Sequence, residues 1–277
     1  MNWQALDLSI LGPAFVAGLL VLSTHVPLGR LVLKRGIIFI DLAVAQIAGI
    51  GVIAADQFGW DSSPWQVQIA AVSTAILGAM LLRWTEKRFG DIQEALIGVL
   101  FVLAATMSLL LLANNPHGGE HLKDLLVGQI LWVSYEQLIP AAIIYTVLLF
   151  SWFGLKIGDK FPSAFYLIFA VAVTVSVQLV GVYLVFTSLI VPALVMRKLS
   201  GKKQLVYAFI LGACAYALGL AASALFDLPS GAVIVWSLAV CGVITSILLK
   251  NSTSEKITYQ TAINKNIAQE VAVKDEV

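Results

Sequence analysis

From Leu8 to Lys250 the chain is a nearly unbroken series of apolar stretches, and the Lys and Arg residues between them gather in every second gap. A helix needs roughly 20 apolar residues to cross a hydrocarbon core of about 30 Å. Stretches of that kind are Leu8–Gly29, Ile37–Ala55, Gln66–Leu82, Ile92–Ala113 and Leu138–Leu155, followed by Ala164–Met196, Val206–Leu225 and Ala232–Leu249. Only 12% of residues are charged and 60% are hydrophobic, whereas a soluble domain carries roughly 25% charged residues. The expected fold is all-α: a polytopic integral membrane protein.

The positive charges set the expected orientation, because cytoplasmic loops retain Lys and Arg. Arg30, Lys34 and Arg35 follow the first stretch, Arg83, Lys87 and Arg88 the third, and Lys156 and Lys160 the fifth. Arg197, Lys198, Lys202 and Lys203 come next, and Lys250 closes the last. The alternate connections hold a single basic residue, Lys123. The amino terminus is therefore expected outside and the carboxyl terminus inside. Ala164–Met196 has basic residues at both ends and must cross an even number of times. Two short spans or a broken hairpin turning near Gly181 give about nine crossings, or eight if one segment is only re-entrant.

Residues 1–250 are expected to form a transmembrane domain and residues 251–277 a polar, disordered cytoplasmic tail. The first stretch lacks the basic n-region of a signal peptide, and its apolar run is too long for one. Cys214 and Cys241 both fall inside apolar stretches and read as packing residues. A net charge of +1 gives no reason to expect nucleic acid.

Ionisable and amide groups inside spans are costly and point to function. Asp41 lies four residues into the second stretch, with Gln46 further along it, and these two with Gln178 are the candidate translocation-pathway residues. Asp91 and Glu94 open the fourth stretch, where acidic side chains favour a helix amino terminus. His25 reads as an interfacial or buried structural histidine, preceding Val26-Pro27-Leu28-Gly29, where a helix is expected to end.

The order of several segments resembles the zinc/manganese ABC transporter permeases, the membrane subunits of bacterial metal-uptake importers. Pro27-Leu28-Gly29 and Lys34-Arg35-Gly36 precede the span with Asp41 and Gln46, and Asp91-Ile92-Gln93-Glu94-Ala95-Leu96-Ile97-Gly98 follows it. Next come Leu126-Val127-Gly128-Gln129-Ile130-Leu131 and Val180-Gly181-Val182-Tyr183-Leu184-Val185, running on to Leu189-Ile190-Val191-Pro192-Ala193. Phe226-Asp227-Leu228-Pro229-Ser230-Gly231 completes the likeness, which covers roughly residues 10–250. It implies a homodimeric permease in the bacterial inner membrane. Cytoplasmic ATPase subunits would drive it, and an extracytoplasmic metal-binding protein would supply a divalent ion such as zinc or manganese, or a metal chelate. The ion is cargo, no cofactor is permanently bound, and ATP belongs to the partner. The chain is not expected to be an enzyme, and it carries no G-x-x-x-x-G-K-[ST] motif.

Two features depart from the resemblance. The family commonly places an Asp and a His four residues apart in the second span, so that both face one ion. Here those positions are Leu42 and Gln46, and Asp41 and Gln46 lie roughly 140° apart around a regular helix. The segment between the fifth and sixth spans is also short for an ATPase-docking helix. The expected ATPase contacts are Lys156, Asp159 and Lys160 there, with Arg197 and Lys198.

His117-Gly118-Gly119-Glu120-His121 fits the H-x-x-E-H spacing of one zinc peptidase class. Two glycines weaken any helix between the histidines, and no third ligand is in reach. His117, Glu120 and His121 therefore read as a metal-catching loop or a plain connection. Two other readings remain from the residues: a self-sufficient secondary transporter or channel using Asp41, and a family member that has lost transport.

Overall fold

In the computed structural model the described residues are 7–59, 64–113, 115–155 and 163–249, without the side chains of Pro64 and His121. The tail from residue 250 and the segment 156–162 lie outside them. Among the described residues the regular structure is entirely helical. In chain order the helices are α1 (Leu8–Arg35), α2 (Ile40–Gln57), α3 (Pro64–Arg88), α4 (Gln93–Leu112) and α5 (Gly118–Val127). They continue as α6 (Tyr135–Leu149), α7 (Ala164–Val180), α8 (Val182–Val195), α9 (Gly201–Phe226) and α10 (Ser230–Leu249). Seven of these are long and apolar enough to cross a membrane, with α7 and α8 as shorter apolar helices.

α1 does not end at Gly29. It runs through Pro13 and Pro27 to Arg35 and stops at Gly36, whose φ of 71° forms a left-handed cap. Proline removes one ladder bond without ending a helix that neighbours support. Here α8 lies so close that a Cβ on Gly29 would fall 2.0 Å from the Leu189 carbonyl oxygen. At the other end Asp7 accepts a hydrogen bond from the Ser9 amide at 2.8 Å, which holds its carboxyl below the usual carboxylate range.

α2 and α3 pack through small residues. Ala71, Ala75 and Ala79 of α3 recur every four positions and are fully buried. A Cβ on Gly51 of α2 would meet Thr74 Oγ1 at 2.3 Å and the Ala70 carbonyl at 2.7 Å. In lipid, where apolar area gives no drive for helices to associate, such close backbone approach supplies the attraction. Larger apolar side chains turn outward instead: Ile139, Ile143, Val147 and Phe150 make an exposed stripe along α6 and the π-helical turn Phe150–Gly154 that extends it.

α7 and α8 form the hairpin expected at Gly181. The Gly181 amide donates to the Val177 carbonyl at 2.8 Å, and its own carbonyl accepts from the Val185 amide at 3.1 Å. One residue thus ends one helix and begins the next. Its φ of 83° and ψ of 161° lie in a region open essentially only to glycine. Both arms return to the carboxyl half of α1. The Arg35 guanidinium sits 4.3 Å from the Phe165 ring centroid of α7, and Gly29 meets Leu189 of α8.

Side-chain hydrogen bonds join the layers. Tyr145 OH lies 2.5 Å from Ser176 Oγ, linking α6 to α7. Ser188 Oγ and Tyr216 OH link α8 to α9 at 2.8 Å, and Ser237 donates to the Ala215 carbonyl, joining α10 to α9. Ser176 and Ser188 also bond their own helices four residues back, so no hydroxyl among them faces lipid unpaired.

Candidate translocation site

Three segments far apart in sequence meet where α7 turns into α8. A Cβ on Gly181 would fall 2.4 Å from the Gly128 amide nitrogen, and one on Gly128 only 2.2 Å from the Val180 carbonyl oxygen. A Cβ on Gly231, at the start of α10, would lie 2.2 Å from the Val127 carbonyl oxygen. Gly128 also has a positive φ, 73°. Backbone touches backbone at all three places, which only glycine permits.

Beside this junction lies a cavity of about 400 Å³. Its polar lining is Asp56 from α2, Asp124 from α5, Gln129 and Gln137 from the connection to α6 and its first turn, and Gln178 from α7. These supply two carboxylates and three amides, and no sulfur or imidazole. A second cavity, of about 530 Å³, lies between α2, α4, α5, α8 and α10. Its walls are apolar, including Phe101, Leu126, Phe186 and Trp236, but Gln46 opens into it one turn after Leu42.

The chain matches the ABC 3 transport family over residues 7–157 and 153–249. It belongs to that family. Relatives include the "Manganese transport system membrane protein MntC" of Halalkalibacterium halodurans, 26% identical over 252 residues that cover 84% of this chain and 85% of the relative. A "Probable metal transport system membrane protein" of Chlamydia muridarum is 23% identical over 281 residues, with 93% of each chain covered. Among solved structures, PsaBC from Streptococcus pneumoniae in complex with Fab shares the fold with a TM-score of 0.69 at 18% identity, covering 84% of this chain and 90% of the other.

Within this ABC 3 family permease the three pathway candidates are not brought together. α2 is regular from Ile40 to Gln57, so Asp41 and Gln46 leave it in different directions, as their spacing requires. Gln46 lines the apolar cavity and Gln178 the polar one. Asp41 lines neither: it is fully buried, and both of its carboxylate oxygens lack a hydrogen-bond partner. A buried carboxyl without a partner is not something packing requires, and it is the least explained polar group in the spans. His25 is buried as well, with Nδ1 3.0 Å from the Val21 carbonyl and Nε2 unpartnered.

The stretch from residue 115 to 137 is more ordered than a plain connection. α5 begins at Gly118, so both glycines of the His117–His121 motif lie in a helix, at its first turn. The reason is contact: a Cβ on Gly118 would fall 2.7 Å from the Leu112 carbonyl, so only glycine lets α5 start against the end of α4. His117 Nδ1 lies 3.3 Å from Glu120 Oε2, and both side chains are largely exposed. Among the described residues no group of three or more His, Cys, Asp or Glu side chains could hold a metal ion.

At the opposite, basic end the chain is held by charge. Arg35 pairs with Glu86 at 3.7 Å while covering Phe165. Glu94 Oε1 accepts the Phe39 amide at 3.1 Å, which caps the start of α2. Glu94 therefore does more than favour its own helix dipole. Lys156, Asp159 and Lys160 fall outside the described residues, whereas Arg197 and Lys198 are exposed just beyond α8. Sequence reasoning did not single out Asp56, Asp124, Gln129 and Gln137. They come from separate segments, and the only signal was that acidic groups replace basic ones in those connections.

Proposed function

We propose that this ABC 3 family permease carries a divalent metal ion, manganese in preference to zinc, inward across the bacterial inner membrane. The observation that carries the reading is the donor set of the polar cavity. Carboxylate and amide oxygens suit hard cations such as Mn²⁺, while zinc sites draw on imidazole and thiolate. The names of the relatives, manganese and metal transport systems, agree with this choice.

In this reading the Gly181 end faces outward and the basic end faces the cytoplasm. The cavity with Asp56, Asp124 and Gln178 receives the ion from an extracytoplasmic binding protein. A second copy of the chain completes the pathway along the face of α2 that carries Leu42 and Gln46. An amide there can interact with a passing cation without trapping it. Asp41, buried behind that face with both carboxyl oxygens unpartnered, is the group there that can draw a passing cation by pairing with it. ATPase subunits dock on the connection between α6 and α7, and hydrolysis takes place on them alone.

The test is purification of the chain from its native membrane with whatever accompanies it, followed by reconstitution into vesicles. Vanadate-sensitive ATP hydrolysis coupled to Mn²⁺ accumulation is the expected result. Asp56→Asn together with Asp124→Asn should raise the Mn²⁺ concentration needed for half-maximal uptake about tenfold or more. A chain that purifies without an ATPase yet still accumulates Mn²⁺ would replace this mechanism with secondary transport.

A further inference from the structure

The basic end holds a third cavity that the transport reading does not use. It is a groove of about 770 Å³ between the carboxyl-terminal halves of α8 and α10. The two helices touch at Gly242, where a Cβ would lie 3.0 Å from Val191 Cγ1 and 3.2 Å from Val195 Cγ2. Beyond that contact α8 stops at Val195 while α10 runs on to Leu249. The space between them is walled by apolar side chains such as Val195 and Ile247, and Arg197 and Lys198 stand at its basic end. Neither cation has an ion-pair partner among the described residues, and no carboxylate lines the groove.

We infer that this groove is a binding site for one anionic phospholipid, its acyl chain along α8 and α10 and its phosphate between Arg197 and Lys198. The walls lie in span-forming helices, so whatever fills them must be apolar. The head of the groove carries two cations without an ion-pair partner among the described residues, so the same occupant must end in an anion. A phospholipid of net negative charge meets both demands in one molecule. A zwitterionic lipid brings its own ammonium group and offsets the attraction. This inference does not depend on which ion the permease carries.

The experiment uses the full-length chain, purified in mild detergent with any partners it retains. Phosphatidylglycerol or phosphatidylcholine of identical chain length is added, and bound lipid is counted by native mass spectrometry. Phosphatidylglycerol should be retained at about tenfold lower concentration than phosphatidylcholine. Arg197→Gln with Lys198→Gln should abolish that preference. Ala239→Leu, which narrows the groove and leaves both cations in place, should weaken retention of either lipid. Lys202→Gln with Lys203→Gln, on the exposed start of α9 outside the groove, should change nothing.

Equal retention of the two lipids would overturn the proposal. So would a loss with Lys202 and Lys203 as large as that with Arg197 and Lys198, which would indicate a diffuse basic surface. If the Arg197/Lys198 variant sheds a co-purified ATPase but keeps its phosphatidylglycerol, the two cations serve a protein contact and the lipid site is wrong.

Discussion

At the Gly181 end the fold is held by backbone against backbone, and at the Arg35 end, beyond the Gly29–Leu189 contact, by charged side chains meeting one another, a ring and a helix start. The first kind of contact has no slack. A Cβ on Gly181, Gly128 or Gly231 would penetrate a neighbouring main chain, and interiors packed this tightly switch rather than deform. The second kind is soft. The Arg35–Glu86 pair is partly exposed and its separation is 3.7 Å, so it can lengthen or re-form at small cost. In the transport reading proposed above, the first would serve as a fixed pivot and the second as an end that yields.

The comparison breaks most completely at Gly181. Gly181→Ala places a Cβ 2.4 Å from Gly128 nitrogen, at a φ that L-residues rarely adopt. It should cost about 3 kcal/mol or more, seen as loss of monodisperse protein on size-exclusion chromatography. An alanine variant that purifies and melts like the parent would show that the junction is not a rigid pivot.

Asp41→Asn tests the buried polar group in the first turn of α2, at the basic end. The amide is nearly the same shape and has no partner to lose, so assembly should be unaffected while Mn²⁺ uptake falls about tenfold or more. Full uptake would take Asp41 out of the mechanism. At the soft end, a double-mutant cycle on Arg35→Gln and Glu86→Gln should give a coupling of about 0.5 kcal/mol that shrinks with added salt. A coupling above about 2 kcal/mol in a thermal-melt cycle would make this end as rigid as the other. The smallest effect belongs to the exposed His117. His117→Ala should leave metal stoichiometry and melting temperature unchanged, and loss of bound metal would promote the α5 motif to a site.

The features legible in the sequence were those the bilayer enforces. The spans had to be apolar, and the break at Gly181 followed from the basic residues on both sides of Ala164–Met196. The different directions of Asp41 and Gln46 followed from helical period alone. The extent of α1 was hidden because Pro27 and Gly29 ordinarily mark a helix end. What overrides them is α8 pressed against Gly29, a contact 160 residues away in the chain. The same applies to α5, whose two glycines read as a weak point until Leu112 is seen against the first of them. The polar cavity was the least legible feature, since Asp56, Asp124 and Gln178 share no periodicity and become neighbours only through the fold.

The brevity of the hairpin also bears on how the protein is made. Arms of 17 and 14 residues span about 26 Å and 21 Å, less than a hydrocarbon core of about 30 Å. Its apex therefore stops short of one membrane face, and α5 and Gly231 of α10 must come down to cover it. Gly231 leaves the ribosome 50 residues after Gly181. During synthesis the hairpin apex is therefore incompletely covered until α10 arrives. A nascent chain truncated before Ser230 should accordingly remain bound to the translocon and be degraded once released.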